Sequence, residues 1–149
     1  MRMLAVAALA AAVAVGPADA KTFTWSFNAD ILTLDPHSSN HTFTNAFNNN
    51  IYEGLTRHNA KMEIEPALAE RWELVSPTVW RFHLRRDVVF HDGAPFDADD
   101  VLFTWTRLNT PGALVRRTIG PVTEVRKLDS HTVEFETTQP FPVLLSSLT

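Results

Sequence analysis

Histidine residues are the first candidates for chemistry in this chain of 149 residues. His37 and His41 are four residues apart, which is the spacing at which two imidazoles on one helix face bind a metal ion. However, Pro36 places His37 in a turn before any helix, and no glutamate or third ligand stands nearby to complete a coordination shell. We therefore interpret the two histidines as an accidental surface pair and predict no metal site.

Candidate catalytic groups are also isolated. His91-Asp92 resembles half of a catalytic dyad, but an aspartate before a glycine is typical of a turn, in which its side chain bonds a backbone N–H. Ser146 and Ser147 lie in an apolar run without an assigned base, and no Gly-x-Ser-x-Gly motif surrounds either serine. The five glycines do not cluster, so the chain has no phosphate-binding loop. The sequence therefore predicts no catalytic residue and no cofactor.

Three aspartates form the densest acidic group and could suggest a cation site. Asp97 is placed to cap a helix, and Asp99 and Asp100 fall in its first turn, where the helix dipole favours negative charge. The predicted helix stops at residues 109–112. Its apolar stripe consists of Val101, Leu102, Trp105 and Leu108. Helix capping therefore explains the acidic group.

Composition and charge exclude some classes of protein. Apolar residues make up 45% of the chain and aromatic residues 10%, which is enough for a packed core. The formal net charge is -4, and residues of both signs are interspersed along the chain instead of forming a basic patch. We therefore predict a globular protein that has no nucleic-acid partner.

Residues 1–20 have the pattern of a cleaved export signal. Arg2 begins a short basic start, residues 3–15 are apolar, and Ala18-Asp19-Ala20 forms a cleavage site before Lys21. The apolar run is shorter than the roughly 20 residues that span a bilayer, which argues against the alternative of a membrane anchor. No cysteine is available for lipid attachment. We therefore predict a periplasmic protein that is not embedded in the membrane, with release from the cell as the alternative.

The residues that follow predict a strand and then a helix. Residues 21–27 alternate aromatic and polar side chains, which is the pattern of a half-buried strand. A helix is predicted after Pro36, with its end at Gly54. Its apolar face consists of Phe43, Phe47, Ile51 and Tyr52, and its N-cap is Ser38, Ser39 or Asn40.

The second half of the chain predicts more strands. Residues 66–73 first predict a short helix, because proline suits the first helical position and Leu68 and Trp72 are four residues apart. Residues 80–84 alternate strictly and predict a strand with one buried face. A turn at residues 91–93 and a hairpin over residues 122–137 complete the prediction. Strands and helices thus alternate in a mixed α/β or α+β manner.

Four segments carry a resemblance to a known family. They are LDP at 34–36, IYEGL at 51–55, PALAERWE at 66–73 and LRRDVVFHDGAPFDADDVLFTW at 84–105. In this order and spacing they resemble the family 5 extracellular solute-binding proteins, which include the dipeptide- and oligopeptide-binding proteins of ABC importers. Two departures are mild: Asp87 stands where the family usually has glycine, and Asp99 replaces the more usual glutamate.

The resemblance implies a fold of the periplasmic-binding-protein type II class, a mixed α/β architecture with two lobes. By it, residues 21–34 would be the opening strand of lobe one and residues 35–149 the small α/β domain inserted in that lobe. The second lobe would be missing, so the chain would be an N-terminal fragment of a longer receptor. Solute would bind between the lobes, which would close around it by a hinge motion.

The resemblance also implies the function. The protein would be the substrate-binding component of an ABC transporter, a non-enzyme that is a monomer when full length. It would deliver peptides or peptide-like solutes to a permease and ATPase complex. The residues expected to meet the solute are Phe27, Asn28 and Ala29, at the end of the opening strand. The alternatives are a receptor for a nickel chelate, an oligosaccharide or an opine, a secreted hydrolase, and a free-standing binding module.

Overall fold

The chain folds around one antiparallel sheet with a helix packed on one face. The computed structural model describes Thr22, Thr24 and residues 26–149, so the predicted export signal at residues 1–20 lies outside the described part. The elements are α1 (Thr42–Asn48), β1 (Thr56–His58), β2 (Ile64–Pro66), β3 (Ala69–Ser76), β4 (Val79–Leu84), α2 (Ala98–Leu108), β5 (Val122–Asp129) and β6 (Thr132–Thr137). This mixed α/β composition confirms the predicted fold class.

Two hairpins make up the main sheet. β3 pairs with β4 and β5 pairs with β6, each pair being joined by a two-residue turn. The hairpins meet through the central pair of β4 and β6, which gives the strand order β3-β4-β6-β5. β1 and β2 form a separate small hairpin. The predicted strand at residues 80–84 and the predicted hairpin at residues 122–137 are therefore confirmed.

The core lies between this sheet and α2. Phe82 and Val133 are fully buried on adjacent strands, and the ring of Phe82 meets the ring of Phe135 edge to face at 5.2 Å between centroids. From α2, Ala98 and Val101 enter the same cluster. Their burial removes apolar surface from water, which is the main source of stability for such a fold.

The start of α2 is capped as the aspartates predict. The side chain of Asp97 accepts a hydrogen bond from the backbone N–H of Asp99 at 2.7 Å, and the side chain of Asp100 accepts one from the N–H of Asp97 at 2.9 Å. This reciprocal arrangement is a capping box. The turn before it is also confirmed, since Gly93 has a φ of 89° and the carboxylate of Asp92 accepts from the N–H of Ala94.

The short helix predicted at residues 66–73 is wrong, because most of this segment is strand β3. Ala69 pairs with Leu84, whereas Arg71 pairs with His83, so β3 carries one extra residue at this point. Such a β-bulge shifts the alternation of side chains, which lets Ala69 and Trp72 both pack on the core although they are three residues apart. The bulge thus produces a spacing that resembles a helical face.

The first helix is shorter than predicted. α1 begins after His41, which has no capping side chain, while the Ser39 hydroxyl accepts from the N–H of His41. The helix ends at Asn48, and the amide of Asn50 donates to two carbonyls of the last turn. Because the side chain of Asn50 satisfies these carbonyls, the helix does not continue to Gly54.

The opening strand predicted at residues 21–27 falls partly outside the described residues. Those of its residues that are described pair with none of the described strands. A strand needs a hydrogen-bonded neighbour, and the resemblance assigns that neighbour to sequence beyond this chain. The opening strand, and with it the division into residues 21–34 and 35–149, stays a prediction.

Candidate functional site

The predicted solute-contacting residues lie beside the first turn of α1. Phe27, Asn28 and Ala29 are exposed, and the ring of Phe27 stacks on the ring of Phe43 with 4.3 Å between centroids and 5° between the planes. Phe27 remains 60% exposed despite this contact. One face of the ring is therefore supported by the helix while the segment stays accessible. Its role as a solute site remains a prediction.

Three hydrogen bonds hold residues 32–34, which follow the predicted solute residues, against α1 and the turn after it. The N–H of Leu32 donates to the hydroxyl of Thr44 at 3.1 Å, and the amide of Asn48 donates to the carbonyl of residue 33 at 3.5 Å. The hydroxyl of Tyr52 donates to the carbonyl of Leu34 at 3.0 Å. Because Thr44 and Asn48 are buried, the helix presents fixed polar groups to this extended chain. Side chains of α1 and of Tyr52 thus position the backbone of residues 32–34.

A charged cluster ties the same segment to the end of α2. Arg107 donates two hydrogen bonds to the carboxylate of Asp35, at 2.8 and 2.7 Å, and its Nη1 lies 2.7 Å from Nδ1 of His37. Since a guanidinium can only donate, Nδ1 of His37 must be the acceptor, which requires a neutral imidazole. Burial, and then the nearby Arg107 cation, lower the pKa of His37. His37 is therefore a structural neighbour of Arg107.

The hydrogen bonds from Arg107 lower the pKa of Asp35 to about 2 from its ordinary 3.8. A depressed carboxyl pKa adds stability above pH 4, and this contribution disappears as the pH falls towards 2. We expect Asp35→Asn to lower the free energy of unfolding by about 1 kcal/mol at pH 7, since the pair is partly exposed to solvent. At pH 2, where about half of the Asp35 carboxyl is protonated in the folded state, most of this difference should be lost. Urea denaturation of the full-length protein at both pH values measures this difference.

Asp30→Asn is the matched control for this substitution. The carboxylate of Asp30 is exposed, and within the described residues it accepts only from the N–H of Ile31, a bond that the side-chain oxygen of asparagine can also accept. The free energy of unfolding of the Asp30→Asn variant at pH 7 should equal that of the parent. An Asp35→Asn loss that persists unchanged at pH 2 would contradict the assignment to the Arg107 ion pair.

The loop between α2 and β5 borders two open grooves. Their volumes are about 390 and 440 Å³, and the larger one also borders the approach to α1. The N–H of Val115 lies 3.5 Å from the carbonyl of His37, which connects the loop to that approach. The larger groove is lined by Asn40, Gly112, Ala113, Leu114, Arg117 and Thr118. Sequence reasoning missed this groove, because its residues carry no motif.

The other candidate groups do not assemble into a catalytic site. Oγ of Ser146 lies 3.2 Å from Nε2 of His58, so the structure does place an imidazole beside one of the two serines. Within the described residues, no carboxylate contacts this imidazole to orient it as a base. His91 is exposed in its turn. Among residues 26–149, no group of three or more histidine, cysteine, aspartate or glutamate side chains could hold a metal ion.

None of the helices in the described part of the chain has the length and apolar character needed to cross a bilayer.

Comparison with known proteins gives consistent matches. The family model "Bacterial extracellular solute-binding proteins, family 5 Middle" matches residues 63–149. The periplasmic oligopeptide-binding protein OppA of Salmonella typhimurium is 31% identical over 159 aligned positions, which cover 93% of this chain and 29% of that protein.

Solved structures share the backbone. OppA of Burkholderia pseudomallei superposes with a TM-score of 0.77 and 27% identity, covering 80% of this chain and 27% of that one. NikZ of Campylobacter jejuni, solved in complex with Ni(L-His), gives a TM-score of 0.73 and 29% identity over 80% of this chain and 24% of that one. The chain spans less than a third of the length of these relatives.

Proposed function

The chain belongs to the bacterial extracellular solute-binding proteins of family 5, and from this membership we propose that the full-length protein is the substrate-binding component of an ABC importer. Its solutes are peptides or peptide-like molecules, and it delivers them to a permease and ATPase complex. It works in the periplasm after removal of residues 1–20. The matched family consists of solute-binding proteins and not of enzymes.

The observation that carries this proposal is the likeness to oligopeptide-binding proteins in both sequence and backbone. The likeness extends over most of the chain and is not confined to one motif. The arrangement of polar groups agrees with a binding protein, because side chains fix the backbone of residues 32–34 directly after the predicted solute segment. Binding without chemistry is the function that this geometry supports best.

In the proposed mechanism, this chain supplies one wall of the solute site. The backbone at Phe27, Asn28 and Ala29 bonds an extended solute, as peptide-recognition sites commonly do when they accept many side chains. The sheet and α2 support this wall. The ion pair between Asp35 and Arg107 joins the chain that follows the predicted solute residues to the end of α2. Closure of a second lobe over the solute would then create the form that docks on the permease.

A binding screen of the full-length protein tests the proposed function. Isothermal titration calorimetry with alanine peptides of two to five residues, and with the nickel complex of L-histidine, should show saturable binding of at least one peptide. The nickel complex is included because NikZ, a structural relative, was solved with it. Binding of the nickel complex with no peptide binding would assign the protein to the alternative class of chelate receptors.

Hydrolysis of the peptides during the titration would instead support the alternative of a secreted hydrolase. Mass spectrometry of the recovered peptides distinguishes this outcome from simple binding. We expect every peptide to be recovered intact.

A further inference from the structure

His37 lies at a junction of three parts of the fold. Its Nδ1 lies 2.7 Å from Nη1 of Arg107, which belongs to the last turn of α2. Its carbonyl oxygen lies 3.5 Å from the N–H of Val115, in the loop between α2 and β5. Helix α1 begins soon afterwards, at Thr42. His37 is thus placed where it can affect how the approach to α1 is held.

Three side chains at this junction are connected to one another. Nη1 of Arg107 carries two N–H groups and has two acceptors within hydrogen-bond distance, Oδ1 of Asp35 at 2.8 Å and Nδ1 of His37 at 2.7 Å. The backbone N–H of His37 also donates to Oδ1 of Asp35, at 2.9 Å. Asp35, His37 and Arg107 therefore form a closed set of hydrogen bonds, in which each residue contacts the other two.

The protonation state of His37 decides whether this set can form. Nδ1 accepts from Arg107 only while it carries no proton. An imidazolium would direct an N–H at the guanidinium and would bring two positive charges together, so the two groups would have to separate. The carboxylate of Asp35 would attract the imidazolium, but both of its oxygens already accept from Arg107. Protonation thus replaces a hydrogen bond with a repulsion.

The surroundings of His37 make its protonation in the folded state less favourable. Burial lowers the pKa of His37 from its ordinary 6.5, the charge of Arg107 lowers it further, and the charge of Asp35 opposes this change. Tyr52 acts electrostatically on Arg107, and the loop contacts His37 through the uncharged N–H of Val115. Because the unfolded state binds this proton more readily, the stabilisation is complete above pH 6.5 and is lost as the pH falls through the lowered pKa.

We propose that Asp35, His37 and Arg107 form a pH-sensitive latch, which holds the approach to α1 on the end of α2 and opens when His37 is protonated. Since this approach follows the predicted solute residues, opening of the latch lowers the affinity for solute in acid. The effect on solute rests on the proposed function, whereas the opening of the latch does not.

The test replaces His37 with a group that keeps the hydrogen bond but does not titrate. In His37→Asn the amide oxygen takes nearly the position of Nδ1 and can still accept from Arg107. His91→Asn is the matched control, since His91 is exposed in the turn before α2, at the opposite end of that helix from Arg107. Hydrogen exchange of the full-length proteins is measured by mass spectrometry at pH 7.5 and 5.5, on peptides that cover residues 30–41. The rates are corrected for the intrinsic pH dependence of exchange.

We expect the protection of these amides in the parent to fall about three- to tenfold between pH 7.5 and pH 5.5, since the lower pH is one unit below the ordinary pKa of histidine. The His91→Asn variant should show the same fall, and the His37→Asn variant a fall of less than about twofold. Isothermal titration calorimetry with the alanine peptide that binds most tightly should give the same pattern in the dissociation constant.

Equal falls in protection for the parent and His37→Asn would overturn the latch, and so would protection in the parent that does not change with pH. A peptide affinity of the parent that is equal at the two pH values would overturn the effect on solute and leave the proposed function in place. Absence of binding by every peptide would overturn the proposed function, while the exchange measurement would still decide the latch.

Discussion

Replacing Phe82 with alanine is expected to lower the free energy of unfolding by about 3–5 kcal/mol. Phe82 lies at the centre of β4 with no exposed surface, and its ring packs edge to face on Phe135 of the neighbouring strand. Removal of the ring leaves a cavity that a four-stranded sheet covered by one helix can fill only partly. Urea denaturation of the full-length protein, followed by tryptophan fluorescence, measures the change, because Trp72 and Trp80 border this core.

Phe103→Ala serves as the control for this substitution. The side chain of Phe103 lies on α2 but is 68% exposed, so its removal creates no cavity. The expected change is within about 0.5 kcal/mol. Equal losses for the two phenylalanines would show that the core is not centred on β4 as described.

Gly54→Ala is expected to have the second largest effect, a loss of about 2–3 kcal/mol. A Cβ at this position would collide with the carbonyl oxygen of Leu148 and would lie 3.0 Å from the carbonyl oxygen of Thr56. Because these are backbone atoms, no side-chain rotation can relieve the overlap. The carbonyl of Gly54 also accepts from the N–H of Leu68, so a shift there would disturb the start of β3. Thermal and urea denaturation measure the loss.

Gly93→Ala tests whether this loss comes from the collision or from backbone strain alone. Gly93 has a positive φ, and nothing lies within 4 Å of the Cβ that alanine would add. The expected loss is about 1 kcal/mol, from conformational strain. A Gly54→Ala variant as stable as the parent would contradict the close approach of the two backbones.

The elements that the sequence predicts correctly are those specified by neighbouring residues. Helix α2 begins at a capping box made of Asp97 and Asp100, only three residues apart. The hairpin of β5 and β6 has alternating residues on both sides of a turn at Ser130 and His131. In each case the signal is contained in a short window, so propensity and periodicity agree with the fold.

The segment at residues 66–73 was predicted incorrectly because its structure depends on a distant partner. Its pairing with β4 includes the bulge after Ala69, which no local pattern announces. Likewise, the length of α1 depends on the side chain of Asn50, which bonds two carbonyls of the helix's last turn. A periodicity argument assumes regular elements, and it fails where a strand is bulged or a helix is ended by side chains.

The candidate site was only partly accessible from the sequence. The resemblance points to Phe27, Asn28 and Ala29, and the structure adds that Phe27 packs on α1. Arg116 and Arg117 are adjacent and identical in type, so no sequence pattern separates the engaged guanidinium from its neighbour. Only the tertiary contacts of the loop show that Arg116 is the engaged residue.

The arrangement of the sheet as two hairpins has a consequence for the order of folding. β3–β4 and β5–β6 each close over a two-residue turn, and such hairpins form within microseconds. The β4–β6 pair that joins them brings together residues separated by the whole of α2 and its loop, which costs more chain entropy. During synthesis the first hairpin can thus emerge from the ribosome and wait with one side of β4 unpaired. Until β6 is synthesised, this unpaired edge of β4 can pair with other chains, so this is the period when misassociation is most favoured.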